Sequence, residues 1–332
     1  MRDVFQVFLG AAGKPAQTLQ VCQVSRSALE QGSRGPTGRA AAGLPEGFGA
    51  RVDQLLRHPG LRPAISGYCY GMAAGPAVRW PYYKLFDQLG RYLVCFMLIH
   101  NYYHWRLGGG PPPTLSALQK VAGASPRQTA GFVAALRAGR LVEVEADPAD
   151  RRAILLRPSP VVIAEIGRSL RLFVEALDRL DPPSDPSRRA RDARLEDADS
   201  LGELIARSAA FVLANGTLLH PFPGVLFFAQ RDCGYPLLTA VIANHYAQTV
   251  EGAATPGPLR RRDLADRFQV STAHIGSLFA EAEARGWFRI APGGHLGAID
   301  AAFLAEFERW SVWQMVHCEW LEQPDRTKSA QL

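Results

Sequence analysis

The side chains of this sequence that have chemistry to offer are hydrogen-bond donors and charges. Three groups stand out: Ser125, Arg127 and Gln128 with Ala130 and Gly131 after them; Asp150, Arg151 and Arg152; and Arg260, Arg261 and Arg262, followed by Ser271, Thr272, Ala273, His274 and Ser277. A guanidinium can bridge two acceptors on a guanine edge, and a glutamine amide can match the donor and acceptor of adenine. That makes Arg127, Gln128, Thr272, Ala273, His274 and Ser277 candidate base readers. Lys120, Arg127, Arg151, Arg152 and Arg260 to Arg262 suit phosphate contact, which positions a protein without reading sequence. Nucleophilic chemistry finds no frame, since the chain has no Walker loop, no GxSxG and no HExxH, so no enzyme is expected. His100 and His104 lie one helical turn apart with no cysteine or carboxylate at ligand spacing. They read as core or capping histidines, with no metal or cofactor.

The elements that must position the first two groups run from Thr114 to Pro158. Leu115, Leu118 and Val121 share one face of a short helix, and Thr129, Phe132, Val133 and Leu136 share one face of the next. Gly123 ends the first helix. Ser125 caps the second, with Pro126 at its first position and Gln128 three residues on, and Gly139 closes it. Leu141 to Glu145 alternates as a strand, Asp147 to Arg152 forms a polar turn, and Ala153 to Leu156 returns as a second strand. Helix, turn, helix and hairpin in this order make a winged helix.

The hairpin DPADRRAILLRPSP resembles the wing of the MarR family of bacterial transcription regulators, whose wing carries an Asp-x-Arg motif. The resemblance covers about a quarter of the chain. It implies that Arg152 reaches the DNA minor groove with Asp150 orienting it. It also implies that the helix after the turn enters the major groove and presents Arg127, Gln128, Ala130 and Gly131.

A second copy follows. Pro236 to Ala247 reads as a scaffold helix whose Ile242-Ala243-Asn244-His245-Tyr246 echoes Ile99-His100-Asn101-Tyr102-Tyr103. The next segment places Leu264 and Ser271 where the first copy has Leu118 and Ser125, both 146 residues on (264 − 118 and 271 − 125). Ile275, Leu278, Phe279 and Ala282 fill the core positions, Gly286 closes the helix, and a short wing turns at Pro292-Gly293-Gly294 without an Asp-x-Arg motif. The expected fold is therefore mainly α with small β-hairpin wings, in which tandem winged helix-turn-helix modules form an internal pseudo-dimer. Two reading helices on adjacent half-sites would lie about 34 to 36 Å apart.

Composition sets the outer limits. The chain has 332 residues, 47% of them hydrophobic, with a net charge of +6, which suits a polyanionic partner without demanding one. The expected organisation is a disordered segment over 1–47, a first winged-helix domain with scaffold helices over 48–180, a linker over 181–198, a second such domain over 199–322 and a flexible tail over 323–332. Tyr82 to Trp105 and Val161 to Leu180 each read as one long scaffold helix. The five cysteines are scattered without a C-x-x-C pair, no apolar run is long enough for a bilayer, and no signal peptide is read, so the cytoplasm is the expected location. The aromatic cluster Trp80, Tyr82, Tyr83, Phe86, Tyr102, Tyr103 and Trp105 reads as packing, with a pocket for a small aromatic effector as the alternative. The function expected is a DNA-binding transcriptional regulator, double-stranded DNA being its partner and no membrane involved. A protein-interaction or scaffold module and a plasmid-type replication initiator are the alternatives.

Overall fold

A computed structural model describes residues 44–74, 82–147, 150, 152–249 and 257–322. The expectations for Trp80, Arg151, residues 1–43 and residues 323–332 lie outside these. The described chain is mainly helical with two small antiparallel hairpins. Helices α1 (Phe48–Leu56) and α2 (Leu61–Ala73) come first, then a 3-10 turn at Tyr82–Leu85 and α3 (Leu89–Arg106). A first helix–helix–hairpin unit follows: α4 (Leu115–Val121), α5 (Pro126–Ala138), β1 (Val142–Ala146) and β2 (Ile154–Pro158). Helices α6 (Pro160–Ile166), α7 (Arg168–Leu180), α8 (Asp185–Glu196), α9 (Ala198–Asn215), α10 (Pro223–Ala229) and α11 (Gly234–Thr249) lead to the second unit. That unit is α12 (Arg261–Phe268), α13 (Thr272–Ala284), β3 (Phe288–Ile290) and β4 (Leu296–Ile299), and α14 (Ala301–Leu321) closes the described chain. Among the described residues no helix is long and apolar enough to cross a membrane.

Several boundaries differ from the sequence reading, each for a local reason. The helix expected over Tyr82 to Trp105 is split by a turn before Leu89, and the one expected over Val161 to Leu180 is divided at Gly167, where Leu201 packs too closely for a side chain. The expected linker 181–198 is largely α8. Its Arg191 is ion-paired with Asp178 and, at 3.2 Å, with Glu322, so it is tied to the scaffold on both sides. Helix α2, hidden in the sequence by its proline and glycines, is well buried because Gly67 and Gly71 let Arg179 and Leu172 of α7 lie directly on it.

The two units keep one register through their helices and part in their hairpins. α5 and α13 begin and end 146 residues apart (272 − 126 and 284 − 138) and the strands that follow them start at the same offset (288 − 142), while the shorter second hairpin brings its return strand in after 142 (296 − 154). Two backbone positions make the correspondence physical. Gly123 and Gln269 both have positive φ (68° and 52°), as do Arg140 and Gly286 (57° and 74°), again 146 apart. At each site one copy uses glycine and the other bears the steric cost of a side chain in the left-handed region. The residue before each unit's first helix also ties to its hairpin, with opposite polarity: Pro113 O accepts from Leu156 N–H of β2 at 2.8 Å, whereas Leu259 N–H donates to Gly294 O of the second turn at 2.7 Å, with 259 − 113 = 146.

What unites the halves is a reciprocal exchange of helices. α2 packs on α11, and α9 packs on α3, so each half's scaffold helix is covered by a helix from the other. α3 and α11 carry apolar residues almost all round, and a helix of that kind must be covered on most sides. Tyr103 of α3 donates to Asp199 of α9 at 2.8 Å, and Arg106 holds the same carboxylate at 2.6 and 2.9 Å. Tyr246 of α11 donates to Glu308 of α14 at 2.9 Å, and Arg62 of α2 reaches the same oxygen at 2.9 Å. The two tyrosines are those of the sequence echo, and each anchors its helix to a carboxylate that also binds an arginine. Close approach of α9 to α3 depends on Gly202, where an added Cβ would lie 2.1 Å from the Tyr103 ring. Gly202→Leu is expected to lower stability by about 2–4 kcal/mol, read as a drop in thermal midpoint, whereas Gly90→Ala, with open space at its Cβ inside α3, should leave it unchanged or raise it by up to about 1 kcal/mol.

Candidate nucleic-acid interface

In the first unit the second helix presents its amino-terminal turn to solvent. Ser125 Oγ accepts the Gln128 N–H at 3.2 Å, while Gln128 Oε1 accepts from the Ser125 N–H at 3.2 Å and from its hydroxyl at 2.9 Å. This is a complete capping box, and it corrects the expectation for Gln128. An adenine-reading glutamine needs that amide oxygen as an acceptor, and here the helix end already uses it. Arg127 is exposed and forms no ion pair with a described residue. Ala130 and Gly131 are only half exposed, and Thr129 is buried with its hydroxyl on the Ser125 carbonyl at 3.1 Å. The outward face of α5 therefore offers Arg127 as its one long amino-terminal donor.

The turn of the first hairpin is stapled by bonds within itself. Asp147 N–H donates to Ala153 O at 3.0 Å, Ala153 N–H donates to Asp150 O at 2.8 Å, and Asp150 Oδ1 accepts the Arg152 N–H at 3.0 Å. Asp150 thus braces the backbone of Arg152. That leaves the exposed Arg152 side chain without an acidic partner among the described residues. The strands also carry Glu143 and Glu145, exposed, with Glu145 bound to Arg157 at 3.1 Å.

The second unit is built differently at both helix starts. Arg260 occupies the cap position of α12 without a side-chain cap, where Thr114 caps α4, and Arg261 and Arg262 follow it, exposed. Arg261 lies over α13, its Nη1 3.2 Å from where a Cβ on Gly276 would be, so that glycine makes room for the guanidinium. Ser271 caps α13 through the His274 N–H at 3.1 Å, and Thr272, Ala273 and Ser277 are exposed. His274 departs from its expected role. Its Nε2 meets the Asp232 carbonyl oxygen at 2.9 Å, so it anchors α13 to the scaffold and is turned away from the exposed Thr272, Ala273 and Ser277.

That anchor stands on a cluster of charges where the halves meet. Asp87 and Asp232 each lie two residues before a scaffold helix (89 − 87 and 234 − 232), and both bind Lys84 Nζ, at 3.0 and 3.1 Å. Arg91 is 3.5 Å from Asp87 and 3.6 Å from Asp232. One buried oxygen of each aspartate, Oδ1 in both, has no donor among the described residues. A proton on Asp87 supplies one. Burial, then the neighbouring Asp232 carboxylate, raise the Asp87 carboxyl to about 7, while Asp232 is held low by Lys84, Asp87 and Arg91 against the cost of its own burial. No sequence motif marked this cluster, because its members are joined by the fold.

His100 Nδ1–H donates to the Ala206 carbonyl at 3.0 Å, and burial lowers its basicity. The aromatic cluster read from the sequence is dispersed: Phe86 lines a cavity at the junction of the halves, while Tyr102, Tyr103 and Trp105 sit at the far end of α3, and the side chains of Tyr82 and Tyr83 lie outside the described residues. Comparison of the chain with protein-family models, curated proteins and solved structures finds no match.

Ion pairing is denser on the scaffold than on the units, although Arg57, Arg171, Arg179, Arg188, Arg194 and Arg207 of the scaffold also form no ion pair with a described residue. Arg51, Arg62, Lys84, Arg106, Arg168 and Arg191 of the scaffold are each bound to a carboxylate. On the units Arg157 and Arg285 are paired, but Lys120, Arg127, Arg152, Arg260, Arg261 and Arg262 have no acidic partner among the described residues. Two outcomes follow from these contacts. Gln128→Ala should cost about 0.5–1 kcal/mol in a thermal melt through loss of the capping box. A carboxyl raised on folding contributes stability that is complete below its unfolded value, near 3.8, and lost as pH rises through about 7. Asp87→Asn removes that dependence. The fall in stability between pH 5 and pH 8 should therefore shrink by about 1–3 kcal/mol in urea titrations of the variant, and an unchanged fall would show that Asp87 is ionised throughout.

Proposed function

We propose that this chain is a DNA-binding transcriptional regulator. In this reading its two helix–helix–hairpin units are winged helices, and the reciprocal helix exchange makes them an internal pseudo-dimer that addresses adjacent half-sites of double-stranded DNA. The observation that carries the reading is the density of unpaired positive charge on the two units: among the described residues only Arg157 and Arg285 of their basic side chains are ion-paired, whereas more than half of those on the scaffold are. Holding unpaired arginines together costs electrostatic energy, and a phosphate backbone offsets that cost through charge neutralisation and counterion release. The uncapped amino terminus of α12 is a further place for a phosphate, since its free N–H groups and the helix dipole both favour an anion. Arg127 is the candidate for guanine recognition in the first unit, with Thr272 and Ser277 the exposed hydroxyls of the second.

Specificity in this reading is unequal between the units. The first has a braced wing with Arg152 at its turn, and the second has a glycine turn with no arginine there. A single chain with unlike halves suits an asymmetric site. A protein-interaction role is favoured by a different feature, the apolar Ile154 and Val144 of the first wing, which are 55% and 40% exposed.

Binding of labelled duplexes, followed by fluorescence anisotropy from 50 to 200 mM salt, separates the two. DNA binding is expected to weaken steeply with salt. Arg152→Ala and Arg261→Ala should each weaken it on every sequence and reduce the salt slope by about one. Arg127→Ala should cost about 1–3 kcal/mol at one base position. An absence of binding at 50 mM salt, or an Arg152→Ala variant with unchanged affinity and slope, would overturn the regulator reading in favour of the interaction module.

A further inference from the structure

The outer edge of the first hairpin is unpaired. Leu156 of β2 gives its N–H to Pro113, so its main chain and that of its cross-strand partner Val144 point away from each other. Val142, Val144 and Ala146 therefore each direct one N–H and one C=O to the free side of β1, where these meet no partner among the described residues. A groove runs along that edge, between β1 and Ala134, Arg137, Ala138 and Arg140 at the end of α5. The alanines leave room in it. Arg137 and Arg140 are exposed and bind no acid among the described residues. Side chains alternate along β1: Val142, buried, and Val144, 40% exposed, lie on the face of the unit's core, and Glu143 and Glu145 lie on the other, where Arg157 holds Glu145.

The second unit shows that none of this is needed to build the fold. At the offset of 146 its counterparts of Arg137 and Arg140 are Glu283 and Gly286 (283 − 137 and 286 − 140). Its β3 has three residues where β1 has five, and its register is interrupted. Arg140 is the telling residue. It holds φ at 57°, a position that glycine fills in the other copy at no steric cost, so the arginine is kept against the preference of the backbone.

We propose that this groove docks an extended segment of a partner protein, acidic at alternate positions, which adds to β1 as a third strand. The segment's main chain pairs with Val142, Val144 and Ala146, and its carboxylates, on the face shared with Val144, meet Arg137 and Arg140. Acids at the intervening positions are disfavoured, because Glu143 and Glu145 already make that face negative. Arg137 lies about 15 Å along α5 from Arg127, at 1.5 Å per residue, so a docked strand leaves the amino-terminal turn of α5 uncovered. The docking site stands beside the regulator reading and does not rest on it.

The probe is a blocked heptapeptide alternating Thr and Glu, with peptides alternating Thr and Gln or Thr and Lys as counterparts. The readout is the amide spectrum of the ¹⁵N-labelled full chain. The Thr–Glu peptide is expected to shift the Val142, Val144 and Ala146 amides saturably, to slow their hydrogen exchange, and to bind about three- to tenfold more tightly than the Thr–Gln peptide. The Thr–Lys peptide should leave those amides unmoved. The double variant Arg137→Glu with Arg140→Gly, which puts the second unit's residues into the first, should lose the advantage of the Thr–Glu peptide with no fall in thermal midpoint. Val144→Pro removes an outward N–H and no bond of the β1–β2 ladder, so it should weaken docking at least about threefold in a folded chain. Edge amides that do not move, or a Thr–Gln peptide that binds as well as the Thr–Glu one, overturn the proposal, and this wild-type comparison decides even where a variant fails to fold. Docking unaffected by Val144→Pro overturns it as well. So do shifts of the same amides on dilution of the chain alone, which assign the edge to a second copy, or on addition of duplex DNA, which assign the groove to nucleic acid. Failure to bind any duplex at low salt, with the peptide still moving the edge amides, overturns the regulator reading and leaves the docking site standing.

Discussion

Everything in this molecule depends on the mutual covering of α3 and α11. Each is apolar on nearly every side, with Leu237, Leu238, Val241 and Ile242 of α11 fully buried, and burial of a side chain of this size contributes about 1.5–3 kcal/mol. No single half has enough surface to supply that cover. The chain solves the problem by sending α2 to α11 and α9 to α3, so that the same kind of contact is made twice in opposite directions. Each half thereby depends on a helix of the other for its cover.

The exchange also governs how the outer units are held. β2 and α4 rest on α3, and β4 rests on α11, so the position of each unit follows from the helix that the other half covers. Where the scaffold helices begin, the same geometry brings Asp87 and Asp232 together, with Lys84 and Arg91 between them. Burial and the neighbouring carboxylate raise the Asp87 carboxyl, and the main-chain oxygen of Asp232 in the same cluster meets His274 of α13. A side chain that seemed free to read bases thereby becomes a structural tie. Gln128 went the same way, its amide oxygen turned back to close the start of α5.

The copies have kept backbone and diverged in surface. Gly123 matches Gln269 and Arg140 matches Gly286, so the left-handed turns persist whichever residue occupies them. The caps and wings differ: Thr114 against Arg260 at the first helix, and a turn braced by Asp150 against one made of Gly293 and Gly294. Backbone geometry is set by many cooperating contacts and resists change, while an exposed cap or turn can change at a cost of about a kilocalorie per mole.

The sequence by itself determined the local elements of both units. Their helices follow from apolar residues at helical spacing, their starts from Ser125, Pro126 and Ser271, and their repetition from the constant offset of 146, because all of these act within a few residues of one another. It also carried the unmatched arginines, though not the fact that they are unmatched. Tertiary structure alone decided that α2 crosses to α11, that 185–196 is a helix bound by Arg191 to both Asp178 and Glu322, and that His274 faces Asp232. It alone made a cavity from Met72, Phe86, Phe268 and Trp310. Those residues are up to 238 positions apart (310 − 72), and no pattern along a chain can specify a contact whose partners are chosen by how two halves pack.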